Sequence, residues 1–416
     1  MSAKYFPIKT ATACQLKWNW STLYLHDETT ASCHRTGWSP LTVENFDDFH
    51  NTEKKKRERI AMLDGQWPNE SCGYCREIEQ SGGFSDRMLH LNIPDLVPPE
   101  LDHDPTAVAV SPTILEVFFN NTCNLACLYC LPELSSKIHQ ENVKFGDFIA
   151  GHIKLTQAPR PQNYPALLEK FWSWMDKNSG SLRRFNILGG EPFYQTEFDK
   201  LLDFFENNPH PDLELGIITN LMVSKDKLNK FIDKFKSLLV KKHLRRIDIT
   251  CSIDCWGPEQ EYVRTGLDLQ TWTENFEILL LQKWLTININ QTISVLTIKT
   301  MPELLEKLQS WRNIHPVGHF FSAVAPRPKY LMPSIMGKNV FTKDFEKILN
   351  LMPRDCDQDN IAVSYMCGIR DHIENSTVDQ KSKHDLKIFL EEKDRRRGSD
   401  WRNTFPWLIQ EMADVV

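Results

Sequence analysis

The chain contains eleven cysteines, and three of them, Cys123, Cys127 and Cys130, fall within eight residues. They follow an apolar, β-branched and aromatic segment, residues 114–119, whose pattern predicts a buried strand. Three thiolates on a loop after a strand can bind one side of a metal centre and leave a fourth coordination position open. A structural zinc site normally has four protein ligands, whereas an iron–sulfur cluster held by three cysteines leaves one iron free. The spacing therefore indicates a metal centre that takes an external ligand.

The spacing C-x3-C-x2-C, with the aromatic Tyr129 before the last cysteine, resembles the signature of the radical S-adenosylmethionine (SAM) enzymes. The resemblance implies a catalytic 4Fe-4S cluster on Cys123, Cys127 and Cys130, whose free iron chelates the amino and carboxylate groups of the methionine moiety of SAM. It also implies that one electron from the reduced cluster cleaves the sulfonium, and that a 5′-deoxyadenosyl radical then takes a hydrogen atom from the substrate. On the cysteines alone, a zinc knuckle or three reduced structural thiols are alternatives.

The chain around this loop alternates between strand-like and helix-like patterns, which is typical of parallel β/α units. Strands are predicted at residues 114–119, 185–188, 215–219, 247–253, 285–293 and 318–324. Amphipathic stretches of helical length lie between them, at residues 164–174, 197–205, 225–240, 269–281 and 301–311. Six such units resemble the partial (β/α)6 TIM-type barrel of radical SAM enzymes, so we expect an α/β fold. In barrels of this kind the chemistry collects at the C-terminal ends of the strands.

A pair of glycines follows the second predicted strand, in the sequence Gly189-Gly190-Glu191-Pro192. Glycine lets the backbone approach a ligand without a Cβ in the way. In the resembled family this GGEP element contacts the methionine amino group of SAM. Without that resemblance, the same residues would fit an ordinary turn from a strand to a helix.

Polar residues also end the third and fourth predicted strands. Ser252 and Arg264 match the family's serine on the fourth strand and its following arginine, which hold the ribose and the carboxylate of SAM. The guanidinium suits a carboxylate because it donates two parallel hydrogen bonds. The resemblance further implies that Asn220 and Asp254 contact SAM or the substrate. The alternatives are a satisfied strand hydroxyl for Ser252 and, for Arg264, a surface ion pair with Glu259 or Glu261.

Four further cysteines, Cys14, Cys33, Cys72 and Cys75, precede the predicted barrel. Residues 21–33 have a hairpin-like pattern that would bring Cys14 close to Cys33, and a charged helix is predicted over residues 53–63. Four thiolates presented in this way form a closed site, either a zinc ribbon or a four-cysteine iron–sulfur cluster. The order of these elements resembles the auxiliary-cluster module called SPASM or twitch, which implies a second 4Fe-4S cluster. That module usually follows the barrel, whereas here it precedes it.

The predicted organisation has four parts: an auxiliary module at residues 1–90, a linker at 91–112 that is rich in Pro and Asp, the barrel at 113–330, and a helical region at 331–416. Helices of that last region are predicted over residues 342–352 and 381–393. The run Arg395-Arg396-Arg397 has two interpretations: a phosphate or acidic-partner site, or a solvated helix end. The remaining cysteines are Cys251, Cys255, Cys356 and Cys367. All four are expected to be small buried hydrophobes, although Cys251 and Cys255 are also candidates for relaying a substrate radical.

Length and composition limit the class of protein. The 416 residues suggest two or three domains, and 41% hydrophobic with 25% charged residues is an ordinary globular proportion. A net charge of −6 argues against generic nucleic-acid binding. Because no apolar run reaches membrane-spanning length and the N-terminus lacks a secretory signal, we expect a soluble, cytoplasmic protein without membrane contact.

SPASM and twitch members mostly act on ribosomally made peptides, so the resemblance implies a precursor-peptide substrate. The expected outcome is a cross-link, an epimerisation or a backbone excision such as the tyramine removal of the spliceases. A small leader-binding partner protein and an electron donor such as flavodoxin or ferredoxin are the expected partners. Two alternatives stay open: modification of a small molecule, sugar, nucleotide or lipid headgroup, and a non-catalytic iron–sulfur protein.

Overall fold

The computed structural model describes residues 6–33, 36–68, 71–80, 85–91, 93–323 and 328–413. Packing divides the chain into two units, each built from separate stretches of sequence. Unit 1 consists of Met1–Asn121, Pro159–Ile217 and Lys234–Ile247, and unit 2 of Thr122–Ala158, Ile218–Asp233 and Asp248–Val416. The boundaries predicted at residues 90, 112 and 330 divide the chain into consecutive segments, which is a different kind of division. These boundaries stay a prediction.

The described strands are β1 to β13. Their bounds are Trp20–Tyr24, Thr29–Ala31, Ser39–Pro40, Ile114–Phe118, Ala126–Cys127, Phe148–Ala150, Ile153–Leu155, Arg184–Ile187, His210–Thr219, Leu244–Ser252, Arg264–Thr265, Thr286–Ile293 and Val317–Ala323. Nine of these strands form one sheet, in the order β13-β12-β10-β9-β8-β4-β1-β2-β3. Strand β4 pairs in parallel with β8, β8 with β9, β10 with β12, and β12 with β13.

The six predicted strands correspond to β4, β8, β9, β10, β12 and β13, which stand in sequential order in the sheet. The last of them was predicted to reach Val324, which lies outside the described residues. A parallel sheet whose strands alternate with helices confirms the predicted α/β class.

The described α-helices are α1 to α17. Their bounds are Gln15–Asn19, Glu53–Leu63, Gly73–Gln80, Asp86–Leu89, Glu100–His103, Ser136–Phe145, Tyr164–Asn178, Thr196–Asn207, Lys225–Val240, Pro258–Val263, Leu269–Leu280, Met301–Arg312, Thr342–Leu351, Asp357–Glu374, Gln380–Arg397, Trp401–Thr404 and Pro406–Glu411. None of the helices in the described part of the chain has the length and apolar character that crossing a membrane requires.

Nine of the described α-helices were not predicted, and α14 and α5 are two of them. Helix α14 buries Ala362, Met366 and Ile373, but Gly368 in its interior lowers its intrinsic helix propensity, so packing rather than local sequence supports it. The segment predicted to be an extended linker contains a short 3-10 helix, Pro94–Leu96, and helix α5. Pro99 directly precedes α5, where proline is tolerated because helix-terminal N–H groups have no intrahelical partner.

In unit 1 the predicted hairpin is confirmed, because β1 pairs antiparallel with β2. The other edge of β1 pairs in parallel with β4, over the register from Trp20↔Ile114 to Tyr24↔Phe118. The hairpin thus extends the same sheet that carries the predicted barrel strands. Its pairing with β4 connects residues about 94 positions apart, as in the contact of Thr22 with Glu116.

The buried Arg59 of α2 fixes the segment before the hairpin in unit 1. Its guanidinium donates to the carbonyl oxygens of Lys17, Val108 and His50 at 2.7, 2.6 and 2.9 Å. Backbone carbonyl oxygens that are buried on folding need hydrogen-bond donors from the protein. Arg59 therefore ties α2 to the end of α1 and to the segment that leads into β4.

Candidate metal and cofactor sites

The three-cysteine loop lies in unit 2, between β4 and α6, and hydrogen bonds from the start of α6 hold it. The Cys123 N–H donates to the Ser136 hydroxyl at 3.1 Å, and the Ser135 hydroxyl donates to the Leu125 carbonyl oxygen at 2.8 Å. Ser135 also caps α6 by accepting from the Ile138 N–H. Burial, and then the neighbouring Cys127 and Cys123, raise the pKa of the Cys130 thiol. The three thiols are thus close enough to influence one another's ionisation.

On the other side of the loop, β5 pairs antiparallel with β11 in the register Cys127↔Arg264. The Leu128 N–H donates to the Val263 carbonyl oxygen at 2.9 Å. Arg264 is buried, and one of its guanidinium nitrogens, Nη1, lies 3.9 Å from the Cys127 sulfur. The structure thus places the predicted Arg264 beside the second cysteine of the loop.

Arg264 does not form the surface ion pair with Glu259 or Glu261 that was considered as an alternative. Its Nε and Nη2 donate to the two oxygens of the buried Asp254 at 2.8 and 2.9 Å. The guanidinium fork that was expected to hold the SAM carboxylate is therefore occupied by a carboxylate of this chain, and only Nη1 points to the cysteine loop. Direct binding of SAM by Arg264 stays a prediction.

Asn220 and Ser252 lie at the C-terminal ends of β9 and β10, as predicted. The Asn220 amide donates to the Asn124 side-chain oxygen at 2.9 Å and lies 3.9 Å from the Cys123 sulfur. Ser252 is buried at the end of β10, opposite Asn290 of β12. Asn220 is thus a neighbour of the three-cysteine loop, and its role towards SAM stays a prediction.

The GGEP element follows β8 in unit 1. Gly189 and Gly190 have φ values of +85° and +58°, which side chains disfavour. A Cβ on Gly189 would lie 2.3 Å from Phe118 Cδ1, so two independent constraints require glycine there. Glu191 is almost fully buried, and its Oε1 accepts the Phe193 N–H at 3.2 Å. A buried carboxylate beside a partly buried glycine turn suits a cationic ligand group such as an amine.

The four N-terminal cysteines line one pocket in unit 1. The pocket has an empty volume of about 380 Å³ and is bordered by all four of Cys14, Cys33, Cys72 and Cys75. Burial, followed by the charges of Cys33 and Cys72, raises the pKa of the Cys14 thiol. The hairpin and the α2–α3 connection therefore bring together thiols that are up to 61 positions apart in the sequence.

A buried cation lies in the wall of the same pocket. Lys17 forms an ion pair with Glu58 and donates to the Ser71 hydroxyl at 3.2 Å, and that hydroxyl lies 3.6 Å from the Cys72 sulfur. A positive charge next to several thiolates favours their deprotonated, metal-binding form. The donor set thus fits a metal cluster. Among the described residues, no three or more His, Cys, Asp or Glu side chains are arranged for a single metal ion.

The other cysteines are not brought together with either group. Cys251 and Cys255 are completely buried at the end of β10, in agreement with the expectation of small hydrophobes. For Cys356 the expectation of a buried hydrophobe is wrong, because this residue is exposed at the N-cap of α14, and Cys367 is only partly buried within that helix. The arginine run is a helix end, as one interpretation had it, but it is only partly solvated. Arg396 bonds Glu392 and Asn142, and Arg397 bonds Glu141 at 2.7 Å.

Sequence reasoning missed the partner of Arg264. Asp254 was singled out as a contact for SAM or the substrate, whereas the structure pairs it with Arg264 and Tyr129. The only sequence signal was an acidic and a basic residue ten positions apart at the end of a strand. Whether such residues meet depends on how the chain turns between them, which the sequence pattern did not indicate.

No family model and no curated protein matches the chain. Among solved structures, Streptococcus suis SuiB bound to precursor peptide SuiA is 15% identical, with a TM-score of 0.35, and the match covers 66% of this chain and 57% of SuiB. The anSMEcpe protein with bound AdoMet is 17% identical, with a TM-score of 0.33 and coverage of 62% of both chains. The chain thus spans about three fifths of the length of these proteins. Similarity of this size does not assign it to a family.

Proposed function

We propose that the protein is a radical SAM enzyme. The observation that carries this proposal is the three-cysteine loop, with Asn220 beside Cys123 and Arg264 beside Cys127. Residue types and spacing at the loop match the family signature. Cys123, Cys127 and Cys130 would hold a 4Fe-4S cluster, which, when bound and reduced, supplies the electron that cleaves SAM and so starts hydrogen abstraction.

The chain's own residues have binding and orienting roles in this proposal. Glu191 offers a buried carboxylate to the methionine amino group, and the positive-φ glycines before it keep side chains away from that position. Asn220 and Ser252 lie at strand ends, where the chemistry of β/α barrels collects, and there they would contact SAM or the substrate. None of these groups needs to transfer a proton, because a radical reaction requires position and exclusion of water rather than an acid–base pair.

We further propose that Cys14, Cys33, Cys72 and Cys75 hold a second 4Fe-4S cluster, and that the substrate is a ribosomally made peptide. The support for the cluster is the shared pocket of the four thiols and the adjacent Lys17. The support for the peptide is the resemblance of this module to SPASM and twitch modules. Modification of a small molecule is the second candidate, and it requires the same cysteine loop.

The test is anaerobic reconstitution of the pure protein, with iron, sulfide and zinc counted and 5′-deoxyadenosine measured after addition of dithionite and SAM. About eight irons per chain with SAM cleavage is the expected result. About four irons and one zinc would retain the radical enzyme and contradict the second cluster. No iron and no cleavage would refute the proposal. Mass changes in candidate precursor peptides then separate the peptide substrate from a small molecule.

Replacing Cys33 by alanine tests the second cluster separately. We expect the variant to lose about four irons per chain while it still cleaves SAM, because Cys33 lines the N-terminal pocket and is not part of the 123–130 loop. Iron analysis and the yield of 5′-deoxyadenosine, each per folded chain, give the result. Cys367→Ala is the matched control and should keep all the iron. Unchanged iron in Cys33→Ala would contradict the assignment.

The two cysteines at the end of β10 test whether a thiol relays the substrate radical. Both are completely buried, so we expect Cys251→Ser and Cys255→Ser to cleave SAM and to form product as the unmodified protein does. Product and 5′-deoxyadenosine are measured in the same reaction. Loss of product with 5′-deoxyadenosine retained would instead assign the relay to the cysteine replaced.

A further inference from the structure

The carboxylate of Asp254 is fully used within the protein. Its Oδ2 accepts from Arg264 Nε at 2.8 Å and from the Tyr129 hydroxyl at 2.7 Å. Its Oδ1 accepts from Arg264 Nη2 at 2.9 Å and from the Thr292 N–H at 2.8 Å. Its side chain is completely buried. A carboxylate with four donors has no free position for a substrate or for a proton that would act in catalysis.

The backbone of Asp254 is held as firmly as its side chain. Its N–H donates to Gln260 Oε1 at 3.0 Å, and its carbonyl oxygen accepts from Gln291 Nε2 at 2.8 Å. Gln291 and Thr292 belong to β12, so both the backbone and the side chain of Asp254 are bound to this strand. Asp254 is therefore a rigid anchor.

Two of the groups that bind this anchor lead directly to the cysteine loop. Tyr129 directly precedes Cys130 in the loop, and the Arg264 guanidinium lies over its ring at 5.6 Å in a cation–π contact. Arg264 also pairs with Cys127 in the β5–β11 register and places Nη1 3.9 Å from the Cys127 sulfur. The loop is thus connected to β12 through one buried carboxylate.

We propose that Asp254, Arg264 and Tyr129 form a lock that fixes the Cys127 segment in its metal-binding conformation before any metal is bound. Asp254 and Arg264 are then positioning residues that act through Cys127 and Tyr129, and Arg264 is not primarily a ligand of SAM. This proposal rests on the proposed function for the identity of the cluster, but the conformation of the loop can be measured without it.

The experiment uses the full-length, metal-free protein and a thiol-alkylating reagent, with the labelling rate of each cysteine read by mass spectrometry. Tyr129→Phe removes a single hydroxyl and should increase the labelling rate of Cys127 roughly tenfold, since it removes one hydrogen bond to a charged group. Asp254→Asn should have a larger effect at Cys127. Cys251, which is completely buried, serves as the internal reference for global unfolding and should label at an unchanged rate.

A matched control comes from a second arginine–carboxylate fork in unit 2. Arg312 binds Asp359 through Nη1 and Nη2, both at 2.9 Å, with no hydrogen bond to the 123–130 loop in the described structure. Asp359→Asn should lower overall stability without increasing labelling of Cys127 relative to Cys251. If it increases Cys127 labelling as much as Tyr129→Phe does, the lock is only general stability and the proposal fails.

Iron content and SAM affinity complete the test. After reconstitution, Tyr129→Phe is expected to bind less iron at a given iron excess and to show an altered EPR signal of the cluster. The proposal is overturned if Arg264→Lys weakens SAM binding while Cys127 labelling stays unchanged, since Arg264 would then be a SAM ligand. Failure of the unmodified protein to bind iron would refute the proposed function, whereas unchanged labelling in every variant would refute the lock.

Discussion

Replacing Cys127 by alanine is expected to abolish formation of 5′-deoxyadenosine. Cys127 is the most buried of the three loop cysteines, and it is the one that Arg264 approaches. A 4Fe-4S cluster with three protein ligands already has one iron without a protein ligand, so loss of one thiolate leaves a second iron unligated by the protein. The measurement is the yield of 5′-deoxyadenosine after reconstitution, together with the iron content per chain. A reduction of at least about 10³-fold corresponds to about 4 kcal/mol in the barrier.

Cys251→Ala is the appropriate control for this variant. It removes a thiol that is also buried in unit 2 but lies on β10, away from the loop sequence. It should retain both iron and SAM cleavage. If Cys127→Ala cleaved SAM at the rate of the unmodified protein, the assignment of the catalytic cluster would be wrong, and the non-catalytic iron–sulfur protein would become the better interpretation.

The second large effect is expected from Gly189→Ala. The added methyl group would meet the Phe118 ring at 2.3 Å, in a residue whose φ is +85°. A non-glycine residue in such a conformation costs about 1–3 kcal/mol, and overpacking adds roughly 1–3 kcal/mol. We expect the free energy of unfolding to fall by several kcal/mol, measured by denaturant unfolding, and SAM affinity to fall with it because the turn must shift.

Gly180→Ala separates this effect from the general effect of adding a methyl group. Gly180 also lies in unit 1, and a Cβ there would meet no atom within 4 Å. Its free energy of unfolding should change by less than about 1 kcal/mol. Equal stability of the Gly189 and Gly180 variants would show that the GGEP turn is not constrained as the structure indicates.

Local sequence patterns predicted the helices and strands whose formation depends mainly on neighbouring residues in the chain. The β-branched run of residues 114–119 became β4, and the charged segment at residues 53–63 became α2 with the predicted bounds. The hairpin pattern likewise predicted the pairing of β1 with β2. The meeting of Cys72 and Cys75 with Cys14 and Cys33 in one pocket depends instead on packing between distant segments.

The contacts that define the lock could not be predicted in this way. Asp254, Arg264, Tyr129 and Thr292 come from four segments, and an acidic residue at a strand end is equally compatible with a ligand. The parallel pairing of β1 with β4 also depends on residues far apart in sequence. Helix α14 was missed because burial of Met366 and Ile373, rather than its own composition, stabilises it.

The ion pairs between α6 and the end of α15 have a consequence for folding during translation. Glu141 lies on α6, the helix that follows the three-cysteine loop, and its partners Lys393 and Arg397 come 252 and 256 residues later in the chain. During synthesis the Glu141 carboxylate of α6 therefore cannot form these ion pairs until α15 has been translated. We expect α6 to reach its final packing only after translation of α15, so folding of this part of unit 2 depends on segments 252 and 256 residues apart.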